Sequence, residues 1–472
     1  MKFLFVLFGI ILLSAPIQAQ SLEEAKKLYL EGRYEEAKPA FEKAIKSAPK
    51  NASYNQWYGT CLLETGEPEK AEHYLEFAAS KKLPGAFGSL GKLYYNQYRF
   101  EEAEEAYEEY IDVLEKNKHE EDAAQAKPLL EKAQRAKRML NFCEDIQIID
   151  SLVVSKETFL NYYSLSEESG SLQYDLSGKA VIYENQLKDK RYFAKKTDEG
   201  VFRLYNQLKL LDEWSGEFPL KLATEREAND NYPYVLSDGV TIYYASTGNG
   251  SIGGYDLFVT RYNLNDDSYF TPEQLGMPFN SIYNDYMIAI DEFNNIGYFV
   301  TDRFQPEDRV IIYTFIPNAE KKIIKNNDEI DNPDYLRSRA QIQSIRDSWQ
   351  SGQNYAALLQ KVKQNNESSL KKEKTDFTLV INDNIVYHQL NEFESDEAKN
   401  MFTRAKSLQD EIILLQHQLD TNRLEYITGD IHKKNELKET ILSSESRLET
   451  MSAEYDKMLV NIRNTEIRFL RK

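Results

Sequence analysis

The chain has 472 residues, with 58 Lys and Arg against 77 Asp and Glu, a formal net charge of −19 at pH 7. That excess of negative charge opposes nucleic acids and anionic lipid surfaces, so neither is an expected partner. Two cysteines, Cys61 and Cys143, make no disulfide framework and no zinc spacing, and two buried thiols are expected ahead of a bridge. The length allows two to four domains.

Residues 1–19 read as an export signal. Lys2 is the basic start, 3–13 is an apolar run too short to span a bilayer, and Ala19 follows Ala15 as the cleavage position. The protein is therefore expected to be exported, periplasmic or outer-membrane-associated, a retained N-terminal anchor being the alternative. No later segment is long and apolar enough to cross a bilayer, so the mature chain is expected to have no integral membrane span.

From 20 to 145 the pattern is helical and repeats. Ala37, Ala71 and Ala103 stand 34 and 32 residues apart. Ala25, Leu28, Gly32, Tyr34, Phe41 and Pro49 surround the first, Gly59, Leu62, Gly66, Leu75 and Pro84 the second, and Gly91, Tyr94 and Tyr107 the third. A small residue is needed where two antiparallel helices touch, and a large one where the next pair stacks. That period and those residue types are the signature of a tetratricopeptide solenoid, an architecture that grips partners. A closing helix is expected over 120–141, with Ala123, Leu129, Leu130, Ala133 and Leu140 on its apolar face. Tyr94, Tyr95, Tyr98, Phe100 and Tyr107 cluster in the third repeat. Packing between helix pairs is the first reading; the functional alternative makes them candidate partner-binding residues in a concave groove.

Near Ile146 the period changes and a β-rich region runs to 325. Strands are expected at 180–183, 201–205, 241–245, 257–262, 296–301 and 310–315, punctuated by Gly, Asn, Asp and Ser. One strand–turn–strand unit recurs: Tyr174 to Tyr183, Tyr234 to Tyr244, and Ile288 to Phe299. The turns start about 50–60 residues apart, which suits four-stranded propeller blades.

Ser237-Asp238-Gly239, then Ile242-Tyr243-Tyr244, then Gly253-Gly254-Tyr255-Asp256-Leu257-Phe258-Val259 resembles a WD40-like blade of the TolB type. With the preceding repeats and the export signal, the chain is similar to a family of Gram-negative envelope proteins that carry a tetratricopeptide array and then a β-propeller. Some members are linked to type IX secretion and gliding. The resemblance spans roughly 21–320 and implies envelope proteins as partners. The chain departs from the family in lacking a recognisable OmpA-like module. It also shows three clear blades where propellers have roughly four to eight, so a distorted or open propeller is a live reading.

Residues 326–375 turn helical and polar, with an interrupted apolar face at Tyr335, Ile342, Ile345, Trp349, Tyr355, Leu358 and Val362. A hairpin is expected at 377–381 and 385–390, around Asn382-Asp383-Asn384. The tail, 395–472, steps through Leu408, Ile412, Leu415 and Leu419, and resumes after Gly429-Asp430 with Leu437, Ile441, Ser444, Leu448, Met451, Tyr455, Met458 and Ile462. An antiparallel hairpin is expected, a helix pairing with a second chain being its rival. The fold class is thus multidomain α and β: an all-α tetratricopeptide solenoid (20–145), an all-β propeller-like domain (146–325), a helical linker and β-hairpin (326–394), and a helical coiled-coil hairpin (395–472).

Reactive constellations are sparse. Gly248-Asn249-Gly250-Ser251-Ile252-Gly253 matches a dinucleotide fingerprint in letters, but a strand is expected after it where the fingerprint needs a helix. Asn263, Asn265, Asp266 and Asp267 lack an EF-hand's glycine and terminal glutamate and read as a turn. His73, His119, His388, His417 and His432 show no ligand spacing. No catalytic, cofactor or metal residues are assigned. The expected function is a non-enzymatic envelope scaffold, with possible homo-oligomerisation through the C-terminal helices; a propeller binding or hydrolysing peptide or glycan is the alternative.

Overall fold

The computed structural model describes residues 21–175, 180–210, 213–223, 225–248, 250–324, 333–358, 360, 379–382, 385–387, 389–428 and 431–470. The expected export signal, the first blade's turn at 176–179 and the Gly429-Asp430 break lie outside these residues. The chain divides into two compact units, Met1–Val362 and Lys363–Lys472.

Seven helices open the first unit: α1 (Leu22–Leu30), α2 (Tyr34–Ser47), α3 (Ala52–Glu64), α4 (Pro68–Ala79), α5 (Pro84–Asn96), α6 (Phe100–Lys116) and α7 (Glu120–Asn141). Ser21 and Asn51 cap α1 and α3 by accepting the backbone N–H of Glu24 and Tyr54, and Pro68 and Pro84 start α4 and α5 where no donor is lost. The phased alanines Ala37, Ala71 and Ala103 are fully buried. Gly91 shows why size is restricted: a Cβ there would lie 2.5 Å from the Tyr107 ring. The closing helix has its expected bounds. Ala123, Ala133 and Leu140 are buried, while Leu129, expected on the same face, is 42% exposed. Leu130 takes the inward position beside it, packed against both α6 and the solenoid core.

The β region is three antiparallel, open sheets. The first joins β2 (Ser171–Tyr174), β3 (Val181–Glu184), β4 (Lys190–Lys196) and β5 (Phe202–Leu210), with β6 (Glu213–Trp214) and β7 (Phe218–Pro219) on β5. The second joins β8 (Asp230–Val235), β9 (Thr241–Ser246) and β10 (Asp256–Asn263), with β11 (Ser268–Tyr269) and β12 (Glu273–Gln274) on β10. The third runs β13 (Asp285–Asp291), β14 (Ile296–Thr301), β15 (Arg309–Ile316), and its last strand is β1 (Gln147–Ser155), the first strand of the region. β1 pairs antiparallel with β15, Ile148 opposite Phe315 and Val154 opposite Val310. The three recurring units are hairpins, β2–β3, β8–β9 and β13–β14. Segment 146–225 supplies one full sheet and one strand of another, and no fourth sheet lies among the described residues of 146–325. Among the described residues the sheets are open and no closed ring is seen. Their shared core is tyrosine-rich, with Tyr183, Tyr234, Tyr244 and Tyr298 almost fully buried.

After the sheets, α8 (Pro333–Gln341) is helical, and so are residues 355–358 of the expected polar segment. Helix α8 stops where Ile342 takes φ +58°, a backbone that β-branched side chains strain against. Trp349 and Tyr355 stack at 4.6 Å and turn back to β1, where the Trp349 indole donates to Ile148 O at 2.9 Å.

The second unit holds a hairpin, β16 (Leu379–Asn382) and β17 (Ile385–Tyr387), and two long helices, α9 (Asp396–Thr428) and α10 (Ile431–Leu470). Phe402 shares a core cluster with Ile462, and Arg423 pairs with Glu445 at 2.7 Å, so the helices run antiparallel. Leu415, Leu419, Leu437, Met451 and Ile462, all expected on the seam, are buried. Buried Glu466 ties the hairpin to α10, accepting from the Tyr387 hydroxyl and the Glu394 backbone at 2.8 Å each.

Candidate docking surface

The first helices of successive pairs lie side by side and are tied rung by rung. Tyr29 of α1 faces Gln56 and Thr60 of α3. Thr60 shares a hydrogen bond with Ser89 of α5 at 2.8 Å, and Lys92 of α5 reaches Glu64 of α3 at 2.7 Å. Lys26 lies 5.2 Å over the Trp57 ring, which rests on Phe41 at 5.3 Å. Trp57 is half-buried, a broad amphipathic ring packed against Phe41 and Tyr54. Hydroxyls, an amide and a half-buried aromatic ring on one rigid face suit an extended polypeptide, whose backbone needs donors and acceptors in series.

The other end of this face is occupied by the chain itself. The loop between β9 and β10 lies against α5 and α7. The Tyr95 hydroxyl donates to Ile252 O at 2.6 Å, Lys132 reaches Gly253 O at 3.5 Å, and the Arg135 side chain packs on Gly250. Ile252 is 0% exposed within the solenoid's own core cluster. Burial raises the Tyr95 phenol far above its ordinary value and lowers the Lys132 ammonium.

The five aromatic candidates pack inward, and Tyr98 and Phe100 also border a small cleft with Lys137 and Arg337. Tyr94, Tyr95, Tyr98, Phe100 and Tyr107 are all buried. Tyr94 packs under the Arg99 guanidinium at 4.2 Å, and Tyr107 fills the gap beside Gly91. Tyr98 is the sharpest case. At the turn between paired helices Gly32 and Gly66 take φ +76° and +81°; in the third pair Tyr98 takes +60°. A tyrosine there costs about 1–2 kcal/mol of backbone strain. Its ring, 1% exposed, packs on Phe100 at 5.2 Å and lies near Arg303 and Asp285 of the β region. The wedge outweighs the turn's preference for glycine.

Each residue of the blade motif has a structural task. Ser237 donates to Glu292 of the third sheet through its backbone at 2.9 Å and its hydroxyl at 2.5 Å. Asp238 accepts from Val240, Thr241 and the Thr241 hydroxyl; burial works against its charge, but these bonds prevail and hold its carboxyl below the ordinary value. Gly239 takes φ +70° in that turn. A Cβ on Gly253 would meet Tyr283 O at 1.7 Å, and one on Gly254 would meet Asn284 Oδ1 at 2.0 Å, so only glycine lets the second and third sheets approach. The Tyr255 ring lies edge-on to Tyr232 at 5.7 Å. Asp256 accepts the backbone N–H of Ile252 and Gly253 at 2.9 and 3.0 Å, and so shapes the loop offered to the solenoid. Burial, then the neighbouring Asp285, push its carboxyl up to about 8, against the pull of those N–H groups and Lys132.

Sequence reasoning missed the residues that join the sheets. Asn284 Oδ1 accepts Tyr255 N–H at 3.0 Å, and Asn229 Oδ1 accepts Phe202 N–H at 3.0 Å, so the same link recurs at two junctions. The signal was present as two Asn-Asp pairs, Asn229-Asp230 and Asn284-Asp285. Arg303, 0% exposed, donates to Asp285 at 2.9 Å and to the carbonyls of Pro278 and Phe279 at 2.8 and 3.2 Å, locking the third sheet to the preceding loop. No spacing marked that pair.

The remaining candidates resolve simply. The glycine-rich fingerprint leads into the strand β10, with Asn249 outside the described residues. At the expected turn Asn265 N–H donates to Asn263 and the Ser268 hydroxyl to Asp266, bonds that close a hairpin. Among the described residues no three His, Cys, Asp or Glu side chains are placed to hold a metal. Cys61 and Cys143 are buried free thiols, both pushed up to about 12 by burial. His73 packs on Tyr74 at 3.8 Å and His119 lies 3.5 Å from Asp122, while His388 lies outside the described residues.

Two tetratricopeptide-repeat family models match the chain, over residues 28–78 and 62–118. No curated protein matches it. Together the matches run from the end of α1 through α6. Tetratricopeptide arrays point to protein partners and a scaffold role. No helix among the described residues is long and apolar enough to cross a membrane.

Proposed function

We propose that this protein is a non-enzymatic scaffold of the cell envelope, exported by its first 19 residues, whose solenoid holds an extended segment of an envelope protein along α1, α3 and the free part of α5. The observation that carries the reading is the ladder from Lys26 and Trp57 to Ser89 and Lys92, next to which a loop of the same chain already lies on the neighbouring helices. The three sheets are read as a propeller-like array, supported by the repeated hairpins and by β1 completing the last sheet. They give a second rigid surface, and α9 and α10, with their heptad stepping, a coiled-coil hairpin that joins a second copy.

The reading is tested by placing a photo-crosslinking phenylalanine analogue at Trp57 and, as control, at exposed Leu187. Irradiation of cells should give a discrete adduct from position 57 and none from 187. Identical adduct patterns from both positions, or none from 57, would refute docking on this face.

A further inference from the structure

A separate cleft of about 330 Å³ lies between the first and second sheets, walled by β5 and β7 on one side and β10 and β11 on the other. That volume suits a ligand of one or two residues. Leu208 and Phe218 line it with largely exposed apolar surface, and Tyr262 and Tyr269, 5.2 Å apart, face them with aromatic surface. Two ammonium groups, Lys190 and Lys221, line the same cleft. Lys190 is half-buried with its Nζ 4.9 Å over the Tyr192 ring, and burial lowers its affinity for a proton. Lys221 is exposed, and neither lysine has an ion-pair partner within 4 Å among the described residues. The carboxylate in the cleft, Asp267, accepts the Tyr262 hydroxyl instead. In a chain of net charge −19, two lysines against one cleft carboxylate, beside exposed apolar side chains, make a local surface complementary to an anion with an apolar neighbour.

We propose that this cleft binds the free carboxylate end of a polypeptide whose last side chain is apolar, the carboxylate meeting Lys190 and Lys221 and the side chain lying on Phe218 and Leu208. A neutral sugar would leave both ammonium groups unmatched. A free amino acid would bring its own ammonium toward them. An internal acidic side chain would supply the charge without the adjoining apolar group.

The full chain is titrated with N-acetyl-L-phenylalanine, with its amide, and with N-acetyl-L-glutamic acid α-amide, read by calorimetry and by saturation-transfer NMR. The acid is expected to bind at least about fivefold more tightly than either other probe, and raising NaCl from about 50 to about 500 mM should weaken the acid alone. The Lys190→Met, Lys221→Met double variant, which keeps the apolar stems, should bring the acid-to-amide ratio to about one and leave the amide unchanged. Equal binding of acid and amide by the natural chain, equal binding of the glutamyl probe, no binding of the acid, or a preference that survives the double substitution would overturn the proposal. The salt arm on the natural chain decides the matter even where the double variant fails to fold.

Discussion

Asp256 concentrates the chemistry of a single residue. Fully buried, it shapes the loop that meets the solenoid through two backbone N–H groups, and burial with Asp285 nearby pushes its carboxyl up to about 8. In the unfolded chain a carboxyl of this type titrates near about 4. The folded protein therefore holds the proton more tightly, so this contribution to stability is fully present below about pH 4 and is lost as pH rises toward about 8, at up to about 1.4 kcal/mol per pH unit. Asp256→Asn removes the titration and keeps an acceptor. Denaturant unfolding of the natural chain and the variant between pH 5 and 8 should show the natural chain losing stability relative to the variant as pH rises; parallel curves would remove Asp256 from the account. The motif around it was legible as Gly253-Gly254-Tyr255-Asp256, but its task was not, because the atoms that forbid a side chain at Gly253, Tyr283 O and Ser281 O, lie some thirty residues on.

At the scale of elements, the loop before β10 is one part of the junction of solenoid and sheets, beside Met277, Leu336 and Ala340 in the same core cluster. Ile252 enters the solenoid core, Tyr95 and Lys132 hold its neighbouring carbonyls, and Tyr98 wedges in beside Arg303. Ile252→Ala should cost about 2–5 kcal/mol. Because the loss falls at the junction, calorimetry of the variant should resolve the single transition expected of the joined unit into two, the helical part melting apart from the sheets. A variant that still melts in one step would place the coupling elsewhere, with Arg339 and Asp145, paired at 2.7 Å, the next contact to remove. Helix bounds were readable because alanine, glycine and proline phases are local: 120–141 was found to the residue. Within the described part of 326–375 the sequence did not reveal where α8 ends, because its end is a single left-handed residue, Ile342, held by packing that its neighbours in sequence do not announce.

For the whole molecule, the tail is proposed to join a second copy. Light scattering of the full chain should give a mass above one copy, and a chain ending at residue 362 the mass of one; a monomeric full chain would end the proposal of pairing through α9 and α10. Period, composition and turn chemistry determined a great deal by themselves: the alternation of helix pairs, the three strand–turn–strand units and the two-helix tail each bury a stripe whose spacing is written in consecutive residues. Tertiary structure alone decided which surfaces remain open. Nothing near Gln147 says that β1 will complete a sheet begun more than a hundred residues later, and nothing near Tyr95 says that its hydroxyl will meet Ile252. Those choices belong to residues far apart in the chain, since burial depends on whatever surface arrives opposite, and local periodicity records only that some surface must.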